Sequence, residues 1–178
     1  FFNLVQRLSD GLRWDFVFNI AEGLRGLSRE AHIPAVLDAY GISYTFSDPL
    51  VMSVTMHKPT AKQLALAAGI SSTPWCIVAH EQDWRYVDLP YPLFVKPVAE
   101  GTSKGIGAAS VVHSPQELRV VGSQLLSSCN QPLMVEPYLS GREFTVGVIG
   151  TGNNVRTVGV LEILHRETMP EPVYSLRH

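Results

Sequence analysis

Apolar positions change their spacing several times along the 178-residue chain, and each change marks an element. Leu4, Val5 and Leu8 fall at helical spacing before Asp10-Gly11, so residues 1–12 open in a helix. The run Asp15-Phe-Val-Phe-Asn-Ile20 is continuously apolar and rich in aromatic and β-branched residues, which predicts a strand buried on both faces in a parallel sheet. Helical spacing returns at Ile33, Val36, Leu37 and Tyr40 and stops at Gly41, after which Ile42-Ser-Tyr-Thr reads as a second strand. Strand, helix and strand in that order form the repeating piece of a doubly wound α/β layer. Residues 50–69 are then mostly helical, with Lys58-Pro59 restarting the helix because proline suits a first turn.

The second half of the chain alternates faster. Residues 73–78 and 93–96 are predicted as neighbouring strands, and residues 108–112 as a strand returning from a glycine-rich segment. Ser114-Pro-Gln-Glu117 has the form of a capping box with proline at the first helical position, opening a helix to about Ser127. A strand at residues 133–136 ends at Glu136, where Pro137 is expected to break pairing with a neighbour. Residues 140–149 and 155–164 form a predicted hairpin around the turn at 150–154.

Composition narrows the function classes. A hydrophobic content of 46% is enough for a real core, and a net charge of −2 without lysine or arginine runs gives no footprint for nucleic acid or a membrane surface. No apolar stretch approaches the ~18 residues of a bilayer span, and no signal peptide is evident. Cys76 and Cys129 lack metal or disulfide spacing and are expected to be buried thiols in a reducing, cytoplasmic setting. Small-molecule partners are favoured.

The chemistry concentrates in Leu93-Phe-Val-Lys-Pro-Val-Ala-Glu-Gly-Thr-Ser-Lys-Gly-Ile-Gly107. Lys96 interrupts an apolar strand, where an amine needs an anionic partner. Gly101, Gly105 and Gly107 let the backbone bend toward a ligand, while Thr102, Ser103 and Lys104 offer hydroxyls, amides and an ammonium group. The segment is not a Walker A loop, because Lys104 precedes its glycine. It is not a dinucleotide fingerprint either, because Ser110 stands where the third glycine is required. The pattern Val-Lys-Pro-x-x-x-Gly-[Ser/Thr]-Ser-x-Gly resembles the ATP-grasp ligases, and within them the D-alanine–D-alanine ligases. Two further stretches carry the same resemblance in order, Lys58 and Glu136-Pro-Tyr-Leu…Gly-Arg-Glu143-Phe-Thr-Val-Gly-Val.

That resemblance implies an α/β (α+β, ATP-grasp) fold in three parts: a partial N-terminal doubly wound domain at 1–57, a central nucleotide-binding lobe at 58–139, and the start of a second ATP-grasp lobe at 140–178. It implies that ATP is held by Lys58, Lys96, Gly101, Thr102, Ser103 and Gly105 on the phosphate side. On the nucleoside side, Glu136 would accept from the adenine amino group, the backbone at Tyr138 and Leu139 would complete base recognition, and Glu143 would bind the ribose. Thr102 and Ser103 would also act near the reacting groups, and Glu22, at the carboxyl end of a predicted strand, is a candidate substrate-side acid. Glu22 reads equally as a solvated loop carboxylate. Glu162 faces either a ligand or solvent, and His113 reads as structural.

Three departures from the family pattern stand out. Met56-His57 precedes the first lysine where Met-Asp or a similar pair is usual, Pro137 replaces a frequent lysine, and Thr102 replaces the first loop serine. The resemblance further implies a strand and a glutamate before Phe1. Beyond Tyr174 it implies a lysine, a tyrosine, an arginine and an Asp…Glu-x-Asn set holding two magnesium ions, so this sequence is expected to be part of a longer protein with no metal ligands of its own. The implied activity is ligation of two D-amino acids through an acyl phosphate, in the cytoplasm and in a possible homodimer. The alternatives are an ATP-grasp ligase for another amino acid or peptide, and a noncatalytic nucleotide-binding module.

Overall fold

The computed structural model describes residues 1–164 and Val173, and its strands fall into three groups along the chain. In the first group, helix α1 (Phe2–Ser9) leads to strand β1 (Phe16–Val17), and a 3-10 turn at Arg29–Ala31 runs into α2 (His32–Ala39) and then β2 (Ser43–Tyr44). Strands β1 and β2 pair in parallel, Phe16 opposite Ser43 and Val17 opposite Tyr44. Leu8, Leu37 and Ile42 form their core, with Val17 and Val36 packed against it. Gly41, at φ +65°, supplies the left-handed turn that lets the chain leave α2.

The predicted burial of residues 15–20 on both faces does not hold. Only Phe16 and Val17 are paired, and Phe16, Phe18 and Ile20 are 57%, 69% and 73% exposed. The reason is the period of a strand: Val17 turns toward the Leu8–Leu37–Ile42 core, which sends its neighbours to the opposite side.

Helices α3 (Pro49–Met56) and α4 (Lys58–Ala67) follow in tandem. Asp48 caps α3, its carboxylate accepting from the Val51 amide at 3.0 Å. His57, in extended conformation, separates the two helices and leaves Lys58 at the very start of α4.

The second group is an antiparallel sheet of β3 (Cys76–Val78), β4 (Leu93–Pro97), β5 (Val111–Val112) and β6 (Leu133–Pro137), in the order β3-β6-β4-β5. Strands β3 and β4 are therefore not neighbours, contrary to the sequence expectation, because β6 enters between them. Helix α5 (Pro115–Cys129) covers one face, burying Val78, Leu93, Val95, Leu118, Leu133 and Val135 with Trp84. Gly122 is the point of closest approach in that layer: a Cβ there would lie 2.1 Å from the Trp84 ring.

The Ser114 hydroxyl caps α5 by accepting from the Glu117 amide at 3.2 Å. Glu117 reaches one residue further back than a capping box requires and accepts from the His113 amide at 2.8 Å. The helix continues to Cys129, two residues past the predicted end, and Asn130 terminates it in the left-handed region at φ 49°. Cys76 and Cys129 are half-buried free thiols, less enclosed than expected.

Strand β6 does not stop at Glu136. Pro137 stays in register with Leu93, and the Tyr138 amide donates to the Pro92 carbonyl at 2.9 Å. Proline is tolerated because pairing with β3 already ends at Val135, so its missing donor falls beside no strand on that edge. The third group is the hairpin of β7 (Glu143–Ile149) and β8 (Arg156–Ile163), closed through a 3-10 turn at Gly152–Asn154 and bulged between Gly147 and Val148.

Candidate active site

The pleat of the central sheet creates the site. Leu93 and Val95 of β4, with Leu133 and Val135 of β6, point to α5. Phe94, Lys96, Met134 and Glu136 therefore share the opposite face, where the register sets Phe94 against Glu136 and Lys96 against Met134. A cavity of about 580 Å³ opens over this face. The start of β7, with Arg142, Glu143 and Phe144, forms its far wall, and Tyr138 and Leu139 line the connection. Its size is within the range of small-molecule sites. Tyr138 stacks on Phe94 with ring centroids 6.2 Å apart.

Lys96 finds the anionic partner that its place in a strand demands: its Nζ donates to Glu136 Oε1 at 2.5 Å. Glu136, 9% exposed, has a second ammonium on its other oxygen, that of Lys62, and accepts from the Thr73 hydroxyl at 2.9 Å. Burial alone would raise the Glu136 carboxyl, but Lys96 and Lys62 together hold it below the usual carboxylate range. The group is therefore ionised at neutral pH.

Lys58 occupies the other end of the cavity. Its amide donates to the Val98 carbonyl at 3.0 Å, and its Nζ donates to the Glu100 carbonyl at 2.5 Å. An ammonium at a helix start calls for a compensating anion, and here the direct partner is a carbonyl oxygen. Burial, with the Lys96 ammonium next in importance, pulls Lys58 down to about 8.

The glycine-rich segment is anchored at its base. Arg29, only 7% exposed, donates to the Ala99 carbonyl at 2.8 Å and to Glu100 Oε2 at 2.8 Å. Gln131 completes the clamp, accepting from the Ala99 amide at 2.8 Å and donating to Glu100 Oε1 at 2.7 Å. Beyond it, Thr102 and Ser103 take left-handed backbone at φ 48° and 58°. Gly105, at φ +72°, sits where a Cβ would lie 2.9 Å from Pro97 Cγ. A Cβ on Gly101 would meet Glu30 Oε1 at 3.0 Å. Ser103 lines the cavity, whereas Thr102 turns to Glu22: its hydroxyl is 3.4 Å from Glu22 Oε2, and Lys104 Nζ is 3.1 Å from the same oxygen.

Lys58, Lys96, Ser103 and Glu136 thus meet Tyr138, Leu139 and Glu143 around one cavity. Gly101, Thr102 and Gly105 shape the loop beside it without lining it, and Glu22 meets the loop rather than the cavity. Glu162 is taken up by Arg142 in a two-pronged pair at 2.6 and 2.8 Å, which lowers its carboxyl. Sequence reasoning missed Lys62, Thr73 and the Arg29 clamp. The available signal for Lys62 was its spacing of four residues from Lys58, one helical turn along the same face.

An α+β ATP-grasp fold with such a cavity defines the class, and comparison with known proteins identifies the family. The D-ala D-ala ligase C-terminus profile matches residues 64–174. A D-alanine–D-alanine ligase of Psychrobacter sp. is 32% identical over 146 residues, covering 81% of this chain and 42% of that protein. Among solved structures, the VanG D-Ala:D-Ser ligase of Enterococcus faecalis superposes with a TM-score of 0.71 at 26% identity, over 85% of this chain and 43% of that one. The ATP complex of a Bacillus anthracis D-alanine–D-alanine ligase gives a TM-score of 0.72 over 93% of this chain and 52% of that one; at 22% identity it speaks for the fold. The chain belongs to the D-alanine–D-alanine ligase family. It spans about half the length of these relatives or less.

Proposed function

We propose that the protein is an ATP-dependent carboxylate–amine ligase that joins two D-alanines for peptidoglycan precursor synthesis in the cytoplasm. The observation that carries this reading is the convergence of Lys58, Lys96, Ser103, Glu136 and Glu143 on one cavity beneath a glycine-rich loop. Lys58 and Lys96 offset phosphate charge in a half-enclosed site where each ammonium counts for more than it would in water. Glu136 accepts from the adenine amino group, the backbone at Tyr138 and Leu139 reads the remaining base edge, and Glu143 holds the ribose. The loop from Gly101 to Gly107 excludes water from the acyl phosphate, with the Thr102 and Ser103 hydroxyls on the substrate side. Glu22 steadies the loop beside the first amino acid.

In bond terms, a carboxylate oxygen of the first D-alanine attacks the γ-phosphorus and ADP leaves. The amine of the second D-alanine then attacks the acyl carbon, the carbon–oxygen bond breaks, and phosphate departs as the nitrogen gives up its proton. Magnesium, which the family resemblance implies, has no cluster of three carboxylate, histidine or cysteine ligands among the described residues. We also propose the division into parts at 1–57, 58–139 and 140–178, and a homodimer, which light scattering on the purified protein tests.

A second reading changes the substrate. Thr102, with its hydroxyl turned to Glu22, favours a ligase that takes a different amino acid at one of its two positions. ADP release with Mg-ATP and D-alanine, L-alanine, D-serine or no amino acid separates the readings. Turnover with D-alanine alone supports the first, turnover only on adding D-serine supports the second, and turnover with none overturns both. Lys96→Ala is expected to cut turnover severely; unchanged nucleotide affinity and rate in that variant would remove Lys96 from the site.

A further inference from the structure

Lys62 belongs to none of the roles above. It lies on α4 four residues after Lys58, so one helix serves both ends of the cavity: its first residue reaches the base of the glycine-rich loop, and the next turn reaches Glu136. The Lys62 side chain is 15% exposed, does not line the cavity, and stands behind Glu136 with its Nζ 5.2 Å from the centre of the Trp75 ring. It also donates to the Thr73 hydroxyl at 2.5 Å, which in turn donates to Glu136. Glu136 is thereby held on one side by Lys96, which faces the cavity, and on the other by Lys62 and Thr73.

The two ammonium groups are not equivalent. An anionic ligand that enters the cavity competes with Glu136 for Lys96. If Lys96 were the sole cation on Glu136, drawing it away would strand a buried carboxylate, which is strongly unfavourable. With Lys62 in place, the carboxylate keeps a charged partner when Lys96 turns to the ligand. We propose that Lys62 is a positioning residue that keeps Glu136 compensated and oriented, so that Lys96 is released to an anionic group of the nucleotide. This inference rests on the nucleotide reading of the cavity. The other charged groups lining the cavity are Lys58, Arg142 and Glu143, none of which is bonded to Glu136.

The test has two independent readouts in wild-type protein and in Lys62→Met, Lys62→Gln and Lys62→Arg variants, each checked for folding by near-UV circular dichroism. The first is the titration of the Glu136 carboxyl, followed by carbon-13 NMR without ligand and assigned with Glu136→Gln. Its midpoint is expected to rise by about one pH unit or more in Lys62→Met and Lys62→Gln and to return toward wild type in Lys62→Arg. The second is ATP: the KM is expected to rise about tenfold or more in the Met and Gln variants, with kcat changed by less than about threefold, and Lys62→Arg is expected to restore it.

An unmoved Glu136 midpoint overturns the proposal. A shifted midpoint with unchanged KM overturns the release of Lys96 and leaves Lys62 a structural ion pair. Equal losses in all three variants, arginine included, overturn a role based on charge. Failure of the wild-type protein to bind ATP overturns the nucleotide reading itself and with it the release role, an outcome distinct from a defect confined to the variants.

Discussion

The ammonium of Lys58 gives the sharpest quantitative handle on this site. Burial is the largest reason that it titrates near 8, followed by repulsion from Lys96; Arg29 adds to the repulsion, and Glu100 and Glu30 offset part of it. An unfolded lysine titrates near about 10.4. The unfolded chain therefore binds more protons between about pH 8 and about pH 10.4, and stability rises with pH through that window. Below about pH 8 the penalty is present in full; discounted for the part of the side chain that stays in contact with water, it is on the order of 1–2 kcal/mol.

A triphosphate beside Nζ favours the ammonium, so binding draws a proton from solvent whenever Lys58 is partly neutral beforehand. With a midpoint near 8 in the free protein, this amounts to about 0.5 proton per site at pH 8 and about 0.9 at pH 9, and the Lys58 share of affinity falls about fivefold between the two. Calorimetric titration of ATP in buffers of different ionisation enthalpy measures the uptake directly, and Lys58→Met removes the contribution for comparison. Proton uptake below about 0.1 at pH 8 in the wild-type protein, or equal uptake in the methionine variant, would refute the reasoning.

Three further outcomes concern stability. Arg29→Leu removes a buried guanidinium that holds Ala99 and Glu100, and urea denaturation is expected to show a loss of about 3 kcal/mol or more. Gly122→Ala forces a methyl group against Trp84 and is expected to cost about 1–3 kcal/mol by the same assay, most of it recovered in a Trp84→Leu background. Ser114→Ala strips the α5 cap for about 1 kcal/mol, with faster amide exchange at Glu117 as the local sign.

Local chemistry made much of this molecule readable in advance. Gly41, the Ser114 cap and the apolar strand that Lys96 interrupts are short-range effects, in which a few adjacent residues decide the backbone. What escaped depends on partners distant in sequence. Lys62 looks like any lysine on a helix until Glu136, 74 residues later, is brought beside it. Arg29 carries no local signal of its role, because its partners, the Ala99 carbonyl and Glu100, lie 70 and 71 residues away. The order of β3, β6 and β4 was missed for a related reason: apolar runs announce strands but carry no label for the neighbour that each one chooses. Phe16, Phe18 and Ile20 show the converse, since an apolar run states what a strand can bury and not which face its fold covers.

The glycine-rich segment is bolted at one edge and only latched at the other. At residues 98–100 it is fastened by Arg29, Lys58, Gln131 and the Pro132 carbonyl, mostly out of solvent. At its tip, among the described residues, it meets the N-terminal part through the Lys104–Glu22 pair and the long Thr102 contact, both carried on half-exposed side chains and worth about 1 kcal/mol or less. Such a flap is expected to open at its tip about a fixed base. Amides at residues 98–100 should exchange on the schedule of global unfolding while those at 102–106 exchange far sooner. How long the flap stays shut is then set by whatever lies beneath it.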